Sequence, residues 1–159
     1  MTEIGKWLFW AGFITNILIS IPIFYRYINF DRPEAAQTMF AIFPAPFAAT
    51  IAAYLAVNGG DTKLWLVMAL LLISQILFIM VLTKMALFLK MKFYPSCVGM
   101  TFPFVITASM LRSSVLLFQA NGYAVPGLFT AAYYFEIIFA TVMVFYVYLR
   151  YIKFLFKKE

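Results

Sequence analysis

The 159-residue sequence contains no histidine and one cysteine, Cys97, and only 11% of its residues are charged. Without histidine, the chain lacks the side chain that most often transfers protons near neutral pH. A single cysteine excludes an intrachain disulfide and a thiolate metal cluster. No glycine-rich nucleotide loop and no Gly-x-Ser-x-Gly nucleophile motif are present, and the carboxylates are isolated in the sequence. These absences argue against an enzyme and predict no bound cofactor or metal.

What the chain does contain is apolar: 65% of the residues are hydrophobic, and the mean hydropathy is +0.95. A soluble domain is about half apolar and about a quarter charged. The composition therefore excludes an ordinary globular domain, a disordered chain and a nucleic-acid-binding protein. It predicts an all-α integral membrane protein, with a single membrane domain over residues 1–159 and no room for a soluble domain.

Five apolar stretches approach or exceed the roughly 20 residues that a helix needs to cross a bilayer. The predicted spans are residues 6–27, 39–57, 63–84, 94–118 and 126–152. Turn-forming residues separate them at positions 31–33, 58–61 and 121–122. No small-residue cleavage site follows the first apolar core, so we interpret the first stretch as a retained span rather than a signal peptide.

Basic residues are distributed unevenly between the two ends of these spans, which predicts an orientation with the N-terminus outside and the C-terminus inside. In that orientation only Lys6 and Lys63 face outward, and Trp7, Trp10 and Trp65 lie near the outer interface, where indole rings are enriched. The nine basic residues that would face the cytoplasm are Arg26, Arg32, Lys84, Lys90, Lys92, Arg150, Lys153, Lys157 and Lys158.

The second span contains Pro44 and Pro46, which remove two backbone donors and leave carbonyls that need partners inside the protein. Small side chains recur beside this kink, at Ala45, Ala49, Ala52 and Ala56. One interpretation of this stripe is close helix packing. The other is a pore wall lined by small side chains.

The fourth span carries Phe102 beside Pro103, and its helical period places Phe102, Ile106, Ser109 and Ser113 on one face. Hydroxyl groups can solvate an anion without binding it tightly, as conduction requires. The alternative is that these hydroxyls form hydrogen bonds between helices.

Two charges lie within the predicted spans, Arg112 in the fourth and Glu136 in the fifth. Arg112 is ten residues before Gly122 and Glu136 is fourteen after it, so their depths differ by about 6 Å in antiparallel helices. A structural ion pair is therefore one hypothesis. Arg112 as an attractor of anions and Glu136 as a proton carrier are the alternatives.

Two proline-bearing motifs resemble a known family of membrane proteins. The run QTMFAIFPAP at residues 37–46, continued by AAYLAVNGG at 52–60, resembles the seventh helix of the tellurite-resistance/dicarboxylate transporter (TDT) family, which includes the slow anion channels of guard cells. The run MTFP at residues 100–103, followed by TAS at 107–109, resembles its ninth helix. The chain as a whole would correspond to helices six to ten, the C-terminal half of the family fold.

This resemblance implies a trimeric anion channel in which ten helices surround a central pore with pseudo-fivefold symmetry. Spans two and four would line the pore, whereas spans one, three and five would form the outer ring. Phe102 would be the pore gate, with Phe104 as the alternative match. Because only half of the family fold is present, we expect an N-terminal half or a homologous chain as partner.

The predicted function is membrane transport of small anions, such as inorganic anions, sulfite, tellurite or C4-dicarboxylates, in the plasma or inner membrane. Both a passive channel and a proton-coupled transporter remain open. The competing hypothesis is a non-transporting membrane assembly subunit or an inactive truncated fragment.

Overall fold

The computed structural model describes residues 2–156, which are helical apart from short connections and contain no strand. Lys157 and Lys158 of the predicted basic tail lie outside the described residues. The α-helices are α1 (Thr2–Asn29), α2 (Glu34–Gln37), α3 (Ala45–Asn58), α4 (Leu64–Lys90), α5 (Thr101–Ala120) and α6 (Gly127–Leu155). Short 3₁₀ helices occupy Thr38–Ile42, Gly59–Asp61 and Pro95–Met100.

Five helical segments are long and apolar enough to cross a membrane, which confirms the predicted number of spans. Their bounds are Glu3–Asn29, Glu34–Asn58, Leu64–Lys90, Pro95–Ala120 and Gly127–Leu155. The third predicted stretch ended too early, because α4 continues past Lys84 to Lys90. Its last turns are rich in helix-forming Met, Ala and Leu, and Lys84 lies on an exposed side where its charge does not interrupt the helix.

The centre of the bundle consists of α3, α4 and α5, which pack against one another. α1 packs on α3 at one edge, and α6 packs on α5 at the other. Half of the most apolar window of the second span is buried, compared with 44% for the third and 39% for the fourth. The corresponding values are 6% for the first span and 17% for the fifth. The third span, expected in an outer ring, is thus as embedded as the two proline-bearing spans.

The backbone of the second span is interrupted between the first 3₁₀ segment (Thr38–Ile42) and α3. Pro44 has no N–H group, so the carbonyl of Phe40 instead accepts a hydrogen bond from the Phe43 amide at 3.2 Å. The Pro44 carbonyl accepts the Ala48 amide and the buried Ser74 hydroxyl of α4, each at 3.2 Å. The Phe40 and Pro44 carbonyls are therefore hydrogen-bonded within the protein, as a lipid environment requires.

The fourth span is also irregular. It begins with the 3₁₀ segment Pro95–Met100, which packs against the first 3₁₀ segment, Thr38–Ile42. The Ser96 hydroxyl donates to the carbonyl of Ala35 at 2.6 Å. A Cβ atom placed on Gly99 would lie 3.3 Å from Ile42 Cδ1 and 3.5 Å from Met39 Sδ. The absence of a side chain at Gly99 therefore lets the two 3₁₀ segments approach closely.

We expect Gly99→Val to destabilise the bundle by about 2 kcal/mol, because its methyl groups would force the two 3₁₀ segments apart. Reversible unfolding of the detergent-solubilised chain in a denaturing detergent measures this change. Gly12→Val is the matched control, because a Cβ atom at Gly12 has no neighbour within 4 Å. Equal stability of the two variants would contradict the close packing of these segments.

Candidate functional site

One side of α5 is not covered by the bundle. The exposed residues recur every three or four positions and therefore share one helical face. This surface, called the α5 outer face below, consists of Phe102, Val105, Ser109, Arg112 and Leu116. A helix that faces only lipid would present apolar side chains here, whereas this face also carries a guanidinium and a hydroxyl group.

Arg112 is exposed on the α5 outer face and forms no ion pair or hydrogen bond with another described residue. It lies eight residues before Ala120, the last residue of α5, which corresponds to about 12 Å along the helix axis. Within residues 2–156, the ion pair that forms is the one between Lys6 and Glu3, at 3.0 Å. Arg112 is therefore a cation on a membrane-spanning helix without a countercharge in the described chain.

The hypothesis of an Arg112–Glu136 ion pair is wrong. Glu136 is only 2% exposed, and it lies on the buried side of α6. Its neighbour is Gln75 of α4. Arg112 instead points away from the bundle, so the similar depth of the two residues does not bring their side chains together.

Three polar side chains are buried inside the bundle, away from the α5 outer face. Glu136 Oε2, Gln75 Nε2 and Ser114 Oγ are all buried without a hydrogen-bond partner among the described residues. They come from α6, α4 and α5 respectively. The hypothesis of Arg112 as an attractor of anions stays a prediction. The proton-carrier hypothesis for Glu136 stays a prediction.

The two phenylalanines considered as gates occupy opposite environments. Phe104 is completely buried, with its ring centroid 6.0 Å from that of Phe78 and 5.0 Å from that of Phe139. Phe102 is 61% exposed and lines a cleft of about 720 Å³ between α5 and α6, opposite Val144 and Tyr148. Of the two, only Phe102 belongs to the α5 outer face.

The other predicted pore-lining residues differ in how deeply they are buried. Pro44, Pro103 and Ala45 lie inside the bundle. Pro46, Ala49, Ala52 and Ser113 are half-buried at its margin, and Ser109 is exposed. The Ser109 hydroxyl donates to the Val105 carbonyl at 2.8 Å, so its oxygen rather than its hydrogen faces outward. An anion passing this face would therefore depend mainly on Arg112 for favourable contacts.

A second basic feature, at the edge formed by α1, was not predicted as a site. The Arg32 guanidinium lies over the Tyr27 ring, with Cζ 3.2 Å from the ring centroid. In the sequence, Arg32 is notable only as a turn residue and as one of the basic residues that indicate topology. The available signal was a pair of arginines, Arg26 and Arg32, flanking the turn after a span that contains aromatic residues near its end.

Comparison of the chain with protein-family models, curated proteins and solved structures gives no significant match. The resemblance to the TDT family therefore rests on the two proline-bearing motifs.

The different burial of Phe102 and Phe104 predicts effects of different size on stability. We expect Phe104→Ala to lower the free energy of unfolding by about 3 kcal/mol, because it leaves a cavity among buried rings. Phe102→Ala, the matched control, should change it by less than about 0.5 kcal/mol. Denaturation of the two variants in the same detergent measures the difference, and a larger loss for Phe102→Ala would contradict their placement.

Proposed function

We propose that this chain forms part of the wall of a membrane pathway for small anions, with Arg112 as the residue that attracts them. The observation that carries the proposal is the α5 outer face, where an unpaired guanidinium lies on an apolar, membrane-length helix. The pathway involves no chemistry on the anion. Selection is electrostatic and steric.

The charges near this face favour anions over cations. Among residues 2–156, Arg112 has no acidic partner, and the carboxyl group of Glu136 on α6 is buried. Ionisable groups inside membranes commonly mark ion pathways. A single exposed cation, bordered by weakly interacting side chains, can attract an anion without trapping it, which permits conduction.

The proposal also requires a partner for the α5 outer face. An arginine facing lipid near the bilayer centre costs about 3 kcal/mol, and a second chain that leaves a water-filled gap removes this cost. The TDT resemblance supports an N-terminal half or a homologous chain in that place, within a trimer. The same resemblance favours Phe102 as the gate, beside the buried Pro103.

The orientation within this proposal has the N-terminus outside and the C-terminus inside a plasma or inner membrane. Among the described residues, the basic residues toward the bundle end where α1, α4 and α6 finish are Arg26, Arg32, Lys84, Lys90, Lys92, Arg150 and Lys153. The opposite end carries Lys6 and Lys63. This asymmetry matches the preference of cytoplasmic loops for basic residues.

A non-transporting assembly subunit is the second candidate function, and the exposure of α1 favours it. Only 6% of the most apolar window of this helix is buried. A helix with so few contacts of its own leaves most of its surface free for another membrane protein. In that case the α5 outer face would be a docking surface without a permeating ion.

Removal of the Arg112 charge should reduce anion flux. We expect Arg112→Gln to lower chloride and nitrate flux about tenfold, equivalent to about 1.4 kcal/mol, whereas Arg112→Lys should retain most of it. Flux into proteoliposomes is measured with the chain alone and together with a candidate N-terminal five-helix half. Lys84→Gln removes one exposed charge elsewhere and serves as the control.

Unchanged flux in a folded Arg112→Gln variant would refute the attractor role. Absence of flux from the wild-type chain under both conditions, with the chain folded, would favour the assembly-subunit function.

Truncation of the proposed gate should have the opposite effect. We expect Phe102→Ala to raise anion flux several-fold in the same assay, because it removes a ring from the path without disturbing the buried core. A rise in flux with Phe104→Ala but not with Phe102→Ala would show that the gate is misassigned by two residues.

A further inference from the structure

A cleft of about 860 Å³ lies between the C-terminal part of α1 and the segment that contains α2 and the first 3₁₀ segment. Its walls toward the middle of the bundle are apolar, whereas its mouth contains Arg26, Asp31 and Arg32. The apolar wall is formed by Ile23, Phe24, Met39, Ile42, Phe43 and Pro46. We call this space the Arg32 cleft. It lies on the α1 side of the bundle, apart from the α5 outer face.

Arg32 is held in a defined position but is not satisfied by hydrogen bonds. One face of its guanidinium lies against the Tyr27 ring at 3.2 Å, which is a cation–π arrangement. Its Nε and Nη1 atoms are buried and have no hydrogen-bond partner among the described residues. Unpaired guanidinium donors are costly, and they match the oxygens of a phosphate group.

The acidic residues near the cleft leave a positive charge at its mouth. Asp31 forms no ion pair with Arg26 or Arg32 within the described chain. Glu34 does not line the cleft, and its Oε2 accepts a hydrogen bond from Tyr94 Oη at 3.0 Å. Two guanidinium groups therefore share the cleft mouth with one unpaired carboxylate.

The depth of the cleft matches that of a lipid headgroup. Arg26 precedes the last residue of α1, Asn29, by three positions, or about 5 Å along the axis. The mouth of the cleft is thus at the end of a membrane-spanning helix, and the apolar wall extends from there toward the centre of the span. Basic pockets between membrane helices at such positions accommodate anionic lipid headgroups.

We propose that the Arg32 cleft binds an anionic phospholipid. Its phosphate accepts hydrogen bonds from the Arg32 guanidinium, which already lines the cleft. Arg26 supplies the second positive charge. One acyl chain lies against Ile23, Phe24 and Phe43. The apolar wall selects a lipid over free phosphate, and the site does not depend on the proposed anion pathway.

The experiment measures lipid binding by native mass spectrometry of the detergent-solubilised chain. Dioleoylphosphatidylglycerol is the anionic probe, and dioleoylphosphatidylcholine is the zwitterionic one. We expect Arg32→Gln to weaken phosphatidylglycerol binding at least tenfold and to leave phosphatidylcholine binding unchanged. Lys84→Gln, which removes an exposed charge outside the cleft, should behave like the wild-type chain.

Two further variants keep the proposal falsifiable if Arg32→Gln does not fold. Arg32→Lys keeps the charge but loses the planar donor set, so it should weaken binding less than Arg32→Gln. Ile23→Ser, in the apolar wall, should also weaken binding. Its matched control is Ile19→Ser, an exposed position on α1 that does not line the cleft.

Three results would overturn the proposal. The first is phosphatidylglycerol binding that none of the cleft variants changes. The second is equal binding of both lipids to the wild-type chain. The third is full competition by inorganic phosphate at the concentration of the lipid, which would identify a phosphate site rather than a lipid site.

Discussion

Polar backbone groups near the two proline-bearing interruptions need partners inside the protein, because lipid offers them none. The Pro44 carbonyl is bonded by Ser74 of the neighbouring helix α4. The Pro103 carbonyl is bonded by Thr107, one turn later in α5, at 2.9 Å. The first bond joins α4 to the start of α3. The second lies within α5, where Pro103 and Thr107 are both buried, and the opposite side of the helix is the exposed one.

The separation of charges follows from that orientation of α5. With Pro103 and Phe104 buried, the helical period turns Phe102, Ser109 and Arg112 outward. The buried side of the same helix carries Ser114, another residue of the bundle interior, where Glu136 of α6 is also found. A cationic surface and an acidic interior therefore occur on the same helix pair without neutralising each other. This arrangement is compatible with an anion pathway outside the five-helix bundle.

Sequence reasoning predicted the number of spans and most of their limits, because length and hydropathy are local properties. It also identified Pro44, Pro103 and Phe102 as unusual positions. It failed for the Arg112–Glu136 pair, since residue spacing determines depth in a hairpin but not the rotation of each helix about its axis. The Arg32 cleft escaped notice for a related reason. The cleft depends on the angle between α1 and the first 3₁₀ segment. Hydrophobic periodicity in the sequence does not determine that angle.

Because little of α1 is buried against the rest of the bundle, the tilt of this helix would depend on the thickness of the membrane. A helix of 28 residues is about 42 Å long, which exceeds the roughly 30 Å of a hydrocarbon core. Such a helix tilts to match the bilayer, and the polar contact between Asn16 and Thr50, at 3.1 Å, provides a pivot near its middle. Tilting about this point would widen or narrow the space beside Tyr27. A mismatch between helix length and bilayer thickness would then change the shape of the Arg32 cleft.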